Sequence, residues 1–151
     1  MVRPVLEYGN AIWGPFFQCD IKTVESVQRR ATKLIPHLSD LSYEERLHNL
    51  KLPSLAYRRK RGDMILMYKI INEKIRIQFD DFFTLANNRT RGHPMKVTKL
   101  RAMKLSRINS FSQRVVNDWN SLPEDVVMSP SLNTFKNRLD KHWKQLHYKF
   151  Q

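Results

Sequence analysis

The chain has 151 residues, 41% of them hydrophobic and 27% charged, and 27 Lys and Arg stand against 14 Asp and Glu for a net charge of +13. That length and composition exclude a disordered chain and suit one domain, or two small helical pieces packed together, with a real core. No run of about 18 apolar residues reads as a membrane span, and so large an excess of positive charge calls for a polyanionic or acidic partner.

Cys19 is the single cysteine. An intramolecular disulfide and a zinc knuckle are therefore excluded, and a reducing intracellular compartment, nucleus or cytoplasm, is the natural setting. His37, His48, His93, His142 and His147 show no paired metal-ligand spacing, so neither a metal nor a cofactor is expected. Met1 to Tyr8 carry no secretory pattern of charge followed by an apolar stretch.

The elements, in chain order, are mostly helices. Pro4 to Trp13 reads as a helix or helix end that stops near Gly14-Pro15, and it begins as abruptly as an element cut at Met1. Asp20 is placed to cap a helix from Ile21 toward Ile35, with Ile21, Val24, Val27, Ala31, Leu34 and Ile35 as its inward stripe and Pro36 closing it. Ser42-Tyr43-Glu44-Glu45 is a capping box that starts a short helix through Leu50. After the break at Leu52-Pro53-Ser54, a longer helix runs through Ile71, with Leu55, Met64, Met67, Tyr68 and Ile71 facing inward.

From Phe79 to Asn109 the helical period fades, and Asn87-Asn88 and Arg91-Gly92-His93-Pro94 supply turn signals. The weak alternation of Met95-Lys96-Val97-Thr98-Lys99 predicts a short β-hairpin or ribbon. Phe111, Val115, Val116, Trp119 and Leu122 restore helical spacing up to Pro123. Ser131 then caps a final helix carrying Leu132, Phe135, Leu139, Trp143 and Leu146. The expectation is a mainly α chain: a helical part over residues 1–78, then a basic extension over 79–151 with a hairpin or ribbon and two C-terminal helices.

The distribution of charge carries more than its total. Between Asp81 and Asp118 there is no acidic residue, while Arg89, Arg91, Lys96, Lys99, Arg101, Lys104, Arg107 and Arg114 all lie there. Cations so arranged can track phosphates, each neutralised phosphate adding a counterion-release contribution. Arg91, Lys96, Lys99, Arg101, Lys104 and Arg107 are the first candidates for contact. Arg58, Arg59 and Arg61 in a second cluster come next, with Asp63 one turn beyond Arg59 as a local ion-pair partner. The alternative for either cluster is a solvated outer face.

Catalytic signals are weak. Asp80-Asp81 could hold metal ions, but no third carboxylate stands in a strand context upstream, and Asp-Asp before Phe82-Phe83 reads better as a helix start suited to the dipole. Glu44 and Glu45 belong to the capping box. There is no Gly-rich phosphate loop among four glycines and no nucleophile motif. Most aromatics sit at core spacing, so none is assigned as a base platform.

Several strings resemble one known family. Val2-Arg3-Pro4-Val5-Leu6-Glu7-Tyr8-Gly9 and Trp13-Gly14-Pro15 are followed by Val24-Glu25-Ser26-Val27-Gln28-Arg29-Arg30-Ala31-Thr32. Ser42-Tyr43-Glu44-Glu45-Arg46-Leu47, Tyr57-Arg58-Arg59 with Asp63, and Tyr68-Lys69-Ile70 come next. Thr90-Arg91-Gly92-His93, Phe111-Ser112-Gln113-Arg114-Val115 and Trp119-Asn120-Ser121-Leu122-Pro123 complete the series. In that order, over nearly the whole chain, they resemble the C-terminal region of non-LTR (LINE-type, jockey/CR1-like) retrotransposon endonuclease–reverse transcriptases.

The resemblance implies a thumb-like helical bundle and post-thumb extension that help grip template and primer. RNA or an RNA–DNA hybrid is the implied partner, with DNA possible, alongside the palm and fingers of the parent polymerase. The family's catalytic aspartates lie upstream of the matching part. This chain alone is therefore expected to be no enzyme, though the parent would be an RNA-directed DNA polymerase. The Cys/His knuckle of some relatives has no counterpart here. The alternative is a relic, non-functional or repurposed as a protein-interaction module.

Overall fold

The computed structural model describes residues 8–87 and 92–148. The expected helix start at Pro4 lies outside the described residues, as do Arg89 and Arg91 of the acid-free run. The chain is mainly helical. In order come α1 (Asn10–Trp13), α2 (Gln18–Lys33), α3 (Tyr43–Asn49), α4 (Leu55–Ile71), a 3-10 turn (Phe79–Asp81), α5 (Leu105–Ile108), α6 (Phe111–Asn120), α7 (Glu124–Val127), α8 (Leu132–His142) and a second 3-10 turn (Lys144–Leu146). Two compact units result: residues 1–61 with 143–151, and residues 62–142. The division falls inside α4, before Gly62.

In the first unit α2 packs against α3. Helix α2 begins at Gln18, earlier than a cap at Asp20 would place it; its N-cap is Phe17, and Asp20 sits in the first turn, where its charge suits the dipole. The larger departure is its buried face. Glu25, Gln28 and Thr32 are buried, while Val27, Ala31 and Leu34 of the expected inward stripe are exposed, Leu34 to 84%.

Hydrogen bonding explains the inversion. Glu25 Oε1 accepts from the Leu55 amide at 3.1 Å and from the Tyr43 hydroxyl at 2.5 Å, and Oε2 accepts from the Ala56 amide at 3.1 Å. The Ser54 hydroxyl takes the Tyr57 amide at 3.2 Å. Together Glu25 and Ser54 satisfy three of the amides that the start of α4 leaves without an intrahelical partner, with an acidic group at the positive end of the dipole. Gln28 Nε2 donates to the Tyr43 hydroxyl at 3.2 Å and the Pro53 carbonyl at 3.1 Å. Arg46, also buried, donates to the Thr32 hydroxyl and the Leu41 carbonyl.

The capping box of α3 forms as read: the Ser42 hydroxyl accepts from the Glu45 amide, and Glu45 Oε2 accepts from the Ser42 amide at 2.8 Å. These bonds to Ser42 hold the Glu45 carboxyl below its usual range. Helix α3 ends with Lys51 at φ 51°, the Lys51 amide reaching the His48 carbonyl and the Leu52 amide the Leu47 carbonyl. This is a Schellman ending on a residue with a side chain, where glycine is usual. The C-terminal segment completes the unit. The expected final helix stops at His142, because Trp143 leaves helical dihedrals (φ −96°, ψ 20°) and its ring meets Tyr57 edge-on at 6.3 Å. His147 lies 4.3 Å from the Tyr57 ring, and its carbonyl accepts the Ser54 amide.

The second unit follows its apolar period closely. Met64, Met67 and Tyr68 of α4, Val115, Val116 and Trp119 of α6, and Phe135 and Leu139 of α8 are all buried, while at the end of α4 it is Ile70 that is buried and the expected Ile71 is half-buried. Tyr68 stacks on Phe135 at 4.4 Å and donates its hydroxyl to the Ser129 carbonyl at 2.6 Å. Ser131 caps α8 through the Thr134 amide. One short helix, α7, was not foreseen; it follows Pro123 directly, buries Val126 and Val127, and packs against α8.

The predicted β-hairpin is not found among the described residues. Among the described residues there is only an isolated antiparallel bridge between Leu85 and Val97, flanked by amide–carbonyl bonds from Ala86 to Lys96 and from Thr98 to Thr84. Side chains of α6 take the place of a further strand. Asn120 Oδ1 accepts the Val97 amide at 3.0 Å, its Nδ2 donates to the Val97 carbonyl at 2.8 Å, and Trp119 Nε1 donates to the Met95 carbonyl at 2.8 Å. A backbone satisfied in this way has no need of a ladder.

Candidate nucleic-acid interface

After Val97 the chain runs without regular structure to Lys104, the N-cap of α5. Lys99, Arg101, Lys104 and Arg107 are all exposed along this path. Interleaved with them are exposed Leu100, Met103, Leu105 and Ile108. These apolar residues were not singled out in the sequence, because a short irregular segment offers no period to read. The result is a solvent-facing ribbon of cations and aliphatic groups within the second unit.

The other candidates differ. Arg91 lies outside the described residues. Lys96 is half-buried and engaged within the protein; a Cβ on Gly92, which holds φ +116°, would stand 3.0 Å from Lys96 Cε. Glycine is favoured there for its backbone conformation, while the flexible lysine stem could give way to a side chain. Arg58 and Arg61 are half-buried, Arg59 is buried, and all three are engaged within the protein. Arg114, the last cation of the acid-free run, is committed to a two-pronged pair with Asp63, at 2.8 Å from Nε and 2.9 Å from Nη2.

His93 anchors the start of this region. It is buried, Nε2 lies 3.0 Å from the Trp119 carbonyl, and Nδ1 is buried with no hydrogen-bond partner among the described residues. Burial pushes its pKa below the usual histidine value, and the Lys96 charge adds to that; the bond to Trp119 and the charge of Glu124 oppose it. In the neutral ring the proton belongs on Nε2, where it meets the carbonyl.

Asp80 and Asp81 are exposed in the 3-10 turn. Among the described residues no group of three or more His, Cys, Asp or Glu could hold a metal ion, and no helix is long and apolar enough to cross a membrane. Cys19 is exposed, a free thiol with Asp20 as its near neighbour. Trp119, Phe135, Trp143, Tyr57 and Tyr68 are buried, which leaves none of these rings as a stacking surface for bases. No protein-family model, curated protein or solved structure matches this chain.

Proposed function

We propose that the chain is the nucleic-acid-binding C-terminal part of a non-LTR retrotransposon reverse transcriptase, holding RNA or an RNA–DNA hybrid by its phosphates without the catalytic palm. The observation that carries the reading is the exposed series Lys99, Arg101, Lys104 and Arg107 in a stretch with no acidic residue. The resemblance adds the parent: its strings run in family order along the chain. Several of them coincide with residues that organise the units, Glu25 and Gln28, Ser42 and Glu45, Trp119 and Asn120. By itself such a module incorporates no nucleotide; the polymerase activity belongs to the parent.

The test is a titration of the purified chain with labelled RNA and duplex DNA across a range of salt. The expected log–log slope on duplex is about −0.9 per phosphate contacted. Reversing Lys99, Arg101 and Lys104 to Glu should weaken binding to all sequences alike and reduce the slope by about 3. Unchanged affinity in that triple variant would sink the assignment. A second reading, a repurposed protein-interaction module, is favoured by the exposed apolar residues Val27 and Leu34 on α2. Sedimentation showing concentration-dependent association, lost in Leu34→Glu, would move weight to it.

A further inference from the structure

Residues 98–108 of the second unit form a strap held to α6 at both ends. At one end Val97 is buried, and the Asn120 side chain takes both its amide and its carbonyl, at 3.0 and 2.8 Å. At the other, the Ser110 hydroxyl donates to the Arg107 carbonyl at 2.7 Å, and Arg114 Nη1 donates to the Asn109 carbonyl at 3.2 Å. Asn120 is the last residue of α6 and Ser110 its N-cap. The strap therefore returns from one end of the helix to the other, a distance of roughly 15 Å. Only Ala102 in it is half-buried; every other residue is exposed.

A grip on phosphates accounts for only half of this surface. Lys99, Arg101 and Lys104 are exposed and, unlike Arg114, are held by no carboxylate among the described residues. Arg107 is exposed too but borders a cleft with Asp80 and Asp81, so the first three cations carry most of the weight. The other half is aliphatic: Met103 is 86% exposed and Leu105 61%, with Leu100 and Ile108 exposed on either side of them. An apolar residue standing singly at a surface is ordinary. Four within one short acid-free strap are a surface that gains by being covered.

The two kinds of side chain are interleaved: each cation stands next in sequence to at least one of the aliphatic residues. A lipid surface asks for the opposite arrangement, an apolar face set apart from a charged one. A nucleic-acid duplex offers phosphates on its outside but keeps its base faces stacked within, and would leave the aliphatic groups in water. An unpaired strand repeats a phosphate and an open base at every nucleotide, which matches the strap position by position. We infer that the strap binds single-stranded nucleic acid in preference to duplex, its cations on the phosphates and Leu100, Met103, Leu105 and Ile108 against the bases. The free guanidinium plane of Arg101 adds a surface on which a base can stack. This rests on the proposed phosphate grip and narrows its partner to an unpaired strand.

The experiment titrates the whole chain, by fluorescence anisotropy, with a labelled oligouridylate of roughly 12 nucleotides and with the same strand annealed to its complement. Electrostatics alone favours the duplex, whose charge density is higher. The expected result is the reverse, a preference of about threefold or more for the unpaired strand, widening as salt rises because only the phosphate contacts are screened. The double variant Met103→Gln, Leu105→Gln changes no charge and touches only exposed positions, so its unfolding midpoint should stay that of the natural protein. In it the ratio of the two affinities should fall to about one or below. Duplex bound as tightly as the single strand, or more tightly, by the natural protein overturns the inference and leaves the phosphate grip standing. A preference that survives in the double variant also overturns it, by placing the bases elsewhere. Sedimentation with anionic phospholipid vesicles, lost in the double variant and unaccompanied by any strand preference, would assign the aliphatic groups to a lipid surface instead. No binding to either probe removes the phosphate grip and, with it, this inference.

Discussion

The two units are held together by different chemistry. The second has an apolar interior, Met64, Met67, Val115, Trp119, Phe135 and Leu139, with Asp63, His93, Gln113 and Ser129 as its buried polar residues among those described. The first buries Glu25, Gln28, Thr32, Arg46 and Ser54 beside a smaller set of apolar side chains, Tyr43, Leu47, Leu55, Tyr57 and Trp143. An apolar core tolerates imprecision, because burial is non-directional; a polar core depends on each donor meeting its acceptor. The contrast explains why the same kind of sequence pattern was informative in one unit and misleading in the other.

The comparison can be broken first at Trp119. It is fully buried, lies 6.2 Å from Phe135 and donates to the Met95 carbonyl. Trp119→Ala should cost about 3–5 kcal/mol, measured by denaturant unfolding. A loss under about 1 kcal/mol would mean that the second unit does not depend on this packing.

Glu25 is the matching test in the first unit. Glu25→Ala strands the Leu55 and Ala56 amides and the Tyr43 hydroxyl, and the expected loss is about 3 kcal/mol. Glu25→Gln should recover only part of it, since the new amide brings donors toward donors. Full recovery in Glu25→Gln would show that shape, not acceptor chemistry, is what α2 contributes. Hydrogen exchange at Leu55 and Ala56 reports the same point locally, with faster exchange expected in Glu25→Ala.

A smaller, pH-dependent effect belongs to His93. Its pKa is lowered in the folded protein, so the unfolded chain binds a proton first as pH falls. Stability from this site is fully present above about pH 6.5, the unfolded value, and declines as pH drops below it toward the folded pKa. Comparing unfolding midpoints between about pH 7.5 and 5.5 should show a steeper decline in the natural protein than in His93→Gln. Parallel profiles would remove His93 from the account.

The smallest expected change is a gain. Glu73 holds φ 51° just after α4, where the Lys74 amide bonds to the Lys69 carbonyl, a Schellman ending without glycine. Glu73→Gly should stabilise by about 0.5–1 kcal/mol, since a left-handed backbone is strained for a residue with Cβ. A destabilised variant would mean that the greater freedom of glycine in the unfolded chain outweighs the relieved strain.

Much of the fold was legible from short-range signals. Ser42 and Glu45 announced a capping box, Pro36, Pro53 and Pro123 marked the breaks, and apolar spacing located the interior faces of α4, α6 and α8. The acid-free run also pointed directly to Lys99, Arg101, Lys104 and Arg107, which are exposed. Composition and local pattern thus determined a mainly helical chain, several of its helix ends and its basic segment, because caps, prolines and periodicity act within a turn or two of their own residues.

Tertiary structure decided the rest. Only the fold brings Glu25 to the start of α4, thirty positions along the chain, and so turns α2 polar side inward. Only the fold lets Asn120 and Trp119 satisfy the backbone at Met95 and Val97, replacing a hairpin with a side-chain tether. It commits Arg114 to Asp63 while Arg101 and Arg107 remain at the surface. The physical reason is common to all three: a polar group's place depends on which partner reaches it, and those partners come from segments far away in sequence.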